Sequence, residues 1–477
     1  MTLLTNRRKT LGLIGMMCAG GATQAAPRLF DVHDYGAAGD GKTLDTGAVQ
    51  RAVDAAAAAG NGARVVLRGG HKYLIGAVRL AGDIDFHLAD DAQVIVSTRP
   101  EDYGAPVSNT RSTGESASRD LLGVLHATGA NNLTISGTGT IDGRSREFMD
   151  HFDAQTEIWV PGSFRPKLLV LENCENLVIR DITLKRAPSW TVHLVGCRRV
   201  KIHHISVENQ LDVPNCDGID PDHCQDVEIH DCHIVCGDDA IVIKTTAGHD
   251  AYGPSRNITV RDCVLQSQDS GLKIGTETTQ DIHDILFERC TIIEACRGLC
   301  IQLRDQGNIY NITYRDITFT SRYFSAPWWG RGEAISFTAT PRTPQGPLGA
   351  IHDILVRNVR GRAENSARID GHATSRIHDI IFDNVSLTLD RWTRYPGGIF
   401  DNRPTTATEA LEKHDTVGIS VRSADRVALK NCTIQWGKNI PDYFSHALET
   451  RDVTALTHDG FKGAGAHPGK DSAIADG

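Results

Sequence analysis

The chain of 477 residues is 40% hydrophobic and 23% charged, the balance of a soluble globular protein with enough apolar side chains for a large core. Its formal net charge of −9 excludes a polyanion such as nucleic acid as its partner. The 46 glycines beside 6% aromatic residues favour many short strands over long helices.

In residues 1–25, Arg7, Arg8 and Lys9 precede an apolar run from Leu11 to Ala22 and a small-residue site at Thr23-Gln24-Ala25. This is the layout of a secretory signal peptide; the paired arginines suggest the twin-arginine route, though Asn6 and Thr10 fit that pattern imperfectly. The run is too short to span a bilayer, so the expected location is periplasmic or secreted, with no membrane association once the signal is removed. Removal leaves 47 basic and 59 acidic residues, a charge of −12. Eleven of the twelve cysteines follow the signal. Disulfides are ordinary in exported chains, but Cys232, Cys263, Cys290 and Cys432 recur at one repeat position, and a buried thiol ladder is expected instead.

A helix is predicted over Thr46 to Ala59, with Asp45 as N-cap, Ala48, Val49, Ala52, Val53 and Ala56 as its apolar stripe, and Gly60 as its stop. Beyond it one pattern returns: Asn or Asp, apolar, any, apolar, any, a turn residue, two of any kind, apolar. Examples are NLVIRDITL, DVEIHDCHI, NITYRDITF and DIIFDNVSL. Its second apolar residue falls at Ile135, Ile179, Ile202, Ile229, Val260, Phe287, Tyr314, Val356, Phe382 and Leu429. Most intervals lie between 23 and 31 residues; those of 44, 42 and 47 absorb either a missed repeat or an inserted loop. Such a period with β-branched strands specifies a single-stranded parallel β-helix, an all-β solenoid whose coils bury their apolar faces only against each other. The β-helix is expected over residues 26–462, capped by the helix, with 463–477 a disordered tail.

The stretch from Pro214 to Thr278 carries the chemistry. It reads PNCDGIDPDHC, CGDDAIVIKT and SQDSGLKIGTET, each string placing acidic residues at the turn that enters a short strand. Equivalent positions in successive coils stack about 4.8 Å apart. Aligning Ile219, Ile241, Leu272 and Leu299 as inward residues sets Asp217 beside Asp239, Asp239 beside Ser270, and Ser270 beside Arg297. The adjacent column holds Cys216, Asp238, Asp269 and Cys296. Clustered carboxylates raise one another's pKa, and one protonated with one ionised carboxyl is the pair that glycosidic-bond cleavage requires. Calcium binding is the rival chemistry; simple capping of coils is the plainest reading of each aspartate alone.

The motifs PNCDGID and GDDAIVIK, with DVHDYGAAGDGKTLDT, GTGTIDG and RAPSWTVHL elsewhere, resemble those of the polygalacturonase-type enzymes of glycoside hydrolase family 28 over nearly the whole mature chain. The resemblance implies a right-handed β-helix and inverting hydrolysis of α-linked galacturonic-acid polymers, with no cofactor or metal. It makes Asp238 the general acid and gives Asp217 and Asp239 the water, with Asn215, Gly218 and Asp220 completing the first motif. Its substrate partner is a pectic polysaccharide or oligosaccharide, and a monomer is expected.

The departures concern substrate binding. Asp269, Ser270 and Gly271 stand where the family carries Gly-His-Gly, and Cys300, Ile301 and Gln302 where it carries Arg-Ile-Lys, so a histidine and two cations are missing. Rhamnogalacturonan hydrolases of the same family also lack that histidine. Lys273, in register with Cys300, and Lys244, in register with Gln302, are candidate replacements, as are Arg297 and Arg304 on the same outer face. Trp328 and Trp329 lie in an inserted segment, to stack on sugar or to seal the loop. The alternatives to a polygalacturonase-like hydrolase are a rhamnogalacturonan-type hydrolase, a calcium-dependent β-helical lyase and a non-catalytic glycan-binding solenoid.

Overall fold

The repeat residues form one continuous column in a computed structural model, which describes residues 27–104 and 121–476; the expected signal peptide lies outside them. Phe30, Val65, Phe86, Ile135, Ile179, Ile202, Ile229, Val260, Phe287, Tyr314, Val356, Phe382 and Leu429 are strand partners in succession. All are buried, and the pairing along this column is parallel throughout, which makes the molecule a parallel β-helix, right-handed as parallel crossovers are. Its first three coils were not read from the repeat.

The Asn and Asp positions of the repeat do steric work. Asn176, Asp181, Asp226, Asp231, Asn257, Asp262, Asp284, Asn311 and Asp316 all adopt left-handed backbone conformations, with φ between 53° and 67°. These are the residue types that tolerate that region, so each coil turns at a fixed place without glycine. Neighbouring coils are tied there by side-chain amides, as between Asn176 and Asn132 at 2.9 Å and Asn384 and Asn358 at 3.0 Å.

The three long intervals hide no missed repeats. Ile135 pairs directly with Ile179, Tyr314 with Val356 and Phe382 with Leu429, so each is an insertion between adjacent coils. All three have an excursion at one corner of the coil: between strands Thr140–Asp142 and Lys167–Glu172, between Ile309–Ser321 and Glu333–Ala339, and between Ile377–Leu389 and Ile419–Lys430; the second interval also lengthens the next connection, between Glu333–Ala339 and Ile351–Ala363. The insertions then interlock. The Ser325 hydroxyl donates to Thr156 O (2.7 Å), Arg394 and Tyr395 both bond Glu157, and Arg403 donates to Trp328 O (2.6 Å).

The helix Thr46–Ala59 buries its expected stripe against the first strands. Asp45 holds the N-cap position but makes no capping bond; its carboxylate instead accepts from the N–H groups of Ala38 and Gly39. The segment expected to be a disordered tail carries strand Ala473–Asp476, paired in parallel with Leu448–Thr454. The eleven cysteines of the described residues are all free and buried. Cys232, Cys263 and Cys290 stack in register, and Cys174, Cys197 and Cys224 form a second column.

Candidate active site

The register places the acidic strings as expected. Ile219, Ile241, Leu272 and Leu299 are successive partners, and Ser270 pairs with Arg297. Coils approach closely here: a Cβ on Gly218 would lie 2.2 Å from Ala240 O, so only glycine fits beside Asp217. One oxygen from each of Asp217, Asp238 and Asp239 lies within 4.8 Å of the others.

These carboxylates are not exposed turn-edge groups, as the strand alternation suggested. Asp217 is 3% and Asp239 2% exposed, because the inserted segments rise around them. The result is a cavity of about 470 Å³ whose floor carries Asn215, Asp217, Asp238, Asp239, Asp269 and Lys273. Ile158 to Pro161 come from the first insertion, Pro327, Trp328 and Trp329 from the second and Pro404 from the third.

Electrostatics separate the carboxyls. The two oxygens of Asp238 accept from the N–H groups of Asn215 (3.1 Å) and Asp239 (3.0 Å), which favours its charged form. Burial outweighs this, and with Asp217, Asp239 and Asp269 nearby the Asp238 pKa stands well above the usual carboxylate range. Burial, then Asp220, raise Asp217 likewise, and burial, then Asp239, push Asp269 up to about 6. Asp239 is ion-paired: Lys273 Nζ lies 2.6 Å from Oδ2, and the Ser270 N–H donates to Oδ1 at 3.2 Å. Burial alone would lower Lys273, but Asp239 and Asp269 outweigh it and raise its pKa.

Residues 104–394 match the glycosyl hydrolases family 28. This chain belongs to that family. It is 28% identical over 370 residues to a "Probable polygalacturonase" of Vitis vinifera, covering 75% of this chain and 73% of that one. It is 23% identical over 416 residues to an "Exo-poly-alpha-D-galacturonosidase" of Dickeya chrysanthemi, covering 77% and 68%. In fold it is similar to the family 28 exopolygalacturonase of Yersinia enterocolitica (TM-score 0.68, 18% identity, 91% and 79% coverage). It is similar also to the exopolygalacturonase of Thermotoga maritima (TM-score 0.65, 21% identity, 86% and 92% coverage). The protein is thus a polygalacturonase-like glycoside hydrolase acting on O-glycosyl bonds.

Not every residue expected at this family 28 site reaches the cavity. Asn215, Asp217, Asp238, Asp239, Lys244, Asp269, Lys273, Trp328 and Trp329 line it. Asp220 is fully buried behind them and neither of its oxygens has a hydrogen-bond partner; burial holds its pKa well above normal. Ser270 is fully buried, its hydroxyl on Asp269 at 3.0 Å.

Arg297, Gln302 and Arg304 are corrections to the expected substrate-binding set. Arg297 is 0% exposed, 3.3 Å from Asp269 and 3.7 Å from Asp401. The Gln302 amide donates to Arg403 O (3.0 Å), and Arg304 donates to Thr338 Oγ1 (3.1 Å) and Asn402 O (3.2 Å). All three hold the third insertion in place, and burial lowers Arg304 to about 9. Lys244 pairs in register with Asp222; a bulge after Ile274 separates it from the Gln302 column.

Glu277, Trp190 and Trp159 are among the lining groups that sequence reasoning missed. Glu277 rides that bulge and accepts from Lys244 Nζ at 3.0 Å. Trp190 lies within the quoted RAPSWTVHL string, in the strand-entry position beside Asp217. The hairpin of Met149–Asp153 and Ile158–Pro161 brings Trp159 to the rim.

Proposed function

We propose that this family 28 hydrolase is an exported, exo-acting enzyme that cleaves α-glycosidic bonds at the ends of pectin-type chains by inversion. The observation that carries the reading is the pairing on one cavity floor of Asp238, held toward its protonated form, with Asp239, ion-paired to Lys273. Asp238 protonates the leaving oxygen. Asp217 and, in the next coil, Asp239 hold the attacking water, with Asp239, ion-paired to Lys273, as its base. The interlocked rim favours access by a chain end, and relatives named as exopolygalacturonases support the same mode.

Asp238→Asn keeps the size and most hydrogen bonds of the side chain but cannot deliver a proton, so kcat should fall about 10²- to 10⁴-fold in a folded variant. Near-normal turnover would remove Asp238 from the role. The floor carboxylates approach within 4.8 Å, closer than the roughly 6.5–9.5 Å span usual for inversion and nearer the 5–5.5 Å of retaining enzymes. That spacing favours retention, with a floor carboxylate as nucleophile, as the second reading. Against it, Lys273 and the Ser270 N–H already occupy both oxygens of Asp239. Proton NMR of the first-formed product decides between them.

The Lys273 ammonium also stands where a shared calcium would draw its charge, which weighs against a calcium-dependent lyase. Chelator-sensitive release of an unsaturated, ultraviolet-absorbing product would reverse that. Export is tested by fractionating expressing cells and sequencing the mature N-terminus, expected near Ala26.

A further inference from the structure

Five carboxyl groups, Asp217, Asp238, Asp239, Asp269 and Glu277, line the cavity against two ammonium groups, Lys244 and Lys273. Both ammoniums are already engaged. Lys273 holds Asp239 at 2.6 Å, and Lys244 holds Glu277 at 3.0 Å. Lys244 is 5% and Glu277 8% exposed, so their attraction is little screened by solvent. The guanidinium groups that could have supplied further charge, Arg297 and Arg304, are turned into the wall and used there.

Glu277 therefore occupies the ammonium with which the carboxylate of an incoming uronate would pair. A sugar bearing a free carboxylate has two options. It can displace Glu277 from Lys244 and leave that buried carboxylate only the more distant charge of Arg342, or it can sit uncompensated among five carboxyls; both are costly. A sugar without charge meets neither cost. It finds the indole of Trp329 on the cavity wall beside Lys273 (Nζ 5.8 Å from the ring centroid), an apolar surface suited to stacking on the C–H face of a pyranose.

We propose that Glu277, by occupying Lys244, makes this end of the cavity a subsite for an uncharged sugar unit, either a neutral sugar or a uronate whose carboxyl is esterified. The proposal rests on the hydrolytic reading only for its turnover assay. In the bulge that carries Glu277, Gly275 has φ +96° and a Cβ there would lie 2.2 Å from Gln302 O. The backbone that positions Glu277 is thus fixed by close contact with the next coil.

The test compares three oligosaccharides of equal length: an oligogalacturonide with free carboxylates, its methyl ester, and a neutral α-linked oligosaccharide. Wild-type kcat/KM on at least one uncharged probe should exceed that on the free acid by about tenfold or more, and the ester and neutral arms identify which uncharged class is used. Glu277→Gln frees Lys244 and should shift that ratio toward the free acid by about tenfold, chiefly through KM. Wild-type preference for the free acid, or an unchanged ratio in Glu277→Gln, overturns the proposal. If Glu277→Gln does not fold, the wild-type ratio alone decides. Calorimetric binding of the three probes to Asp238→Asn separates the two readings: tight binding of an uncharged probe without sugar release by the wild type defeats the hydrolytic reading and upholds the subsite.

Discussion

Asp217 is 3% exposed, one of its oxygens has no hydrogen-bond partner, and burial and then Asp220 raise its pKa well above 3.8. In the unfolded chain it titrates near its ordinary value, so the folded state binds the extra proton. The sign follows from linkage: stability from this group is full below about pH 4 and is lost as pH rises through the raised folded value. Asp217→Asn has no such dependence. It should therefore melt at a higher temperature than wild type at pH 8, with the difference closing toward pH 4, while losing activity; calorimetry across that range checks it, and a lower melting temperature at pH 8 refutes it. Catalysis has its own pH limit at the same scale. If Asp238 is the acid, kcat falls as pH rises through its elevated pKa, and the alkaline limb should vanish in an Asp238→Asn variant's residual rate.

The inserted segments are the elements that turn a uniform solenoid into a site. Glu157 at the tip of the first is gripped by Arg394 and Tyr395 of the third. Glu157→Ala should loosen the rim, raising KM several-fold with kcat within about twofold of wild type, since it removes positioning and not chemistry; an unchanged KM on steady-state assay would deny the rim a binding role. This level is also where the sequence stops being informative. Register was legible because every coil repeats the same apolar and left-handed positions, and that alone set Asp217 against Asp239 and Ser270 against Arg297. An interval of 42 residues, however, does not say whether a coil or a loop fills it. Nor does register show that an outward residue will be covered. Arg304 directly follows its strand Arg297–Leu303, and Thr338 of the next coil together with Asn402, 98 positions away, encloses it. Glu277 escaped because the bulge at Gly275 breaks the alternation that placed Lys273; the glycine in KIGTET was the one available signal.

Across the whole molecule, the core is stitched by columns of apolar side chains running from coil to coil. Six of the eleven buried thiols of the described residues stand in two such columns; burial drives Cys197 and Cys236 well above an ordinary thiol pKa, so these two lack the thiolate that reacts, and burial keeps all eleven from a reagent in solution. The native protein should show almost no thiol reactivity toward an aromatic disulfide reagent and release all eleven on denaturation without reductant. A shortfall would reveal disulfides. The shared exit corner of the insertions has a different consequence. Since the chain re-enters at an unchanged register after every excursion, excursion length is invisible to the neighbouring coils, and doubling it adds only about 0.6 kcal/mol of closure entropy. The solenoid is in effect a rack of equivalent sockets: rim segments of different length can be seated without shifting the coils that hold the aspartates, provided that a new third segment still meets the buried Arg297, Gln302 and Arg304.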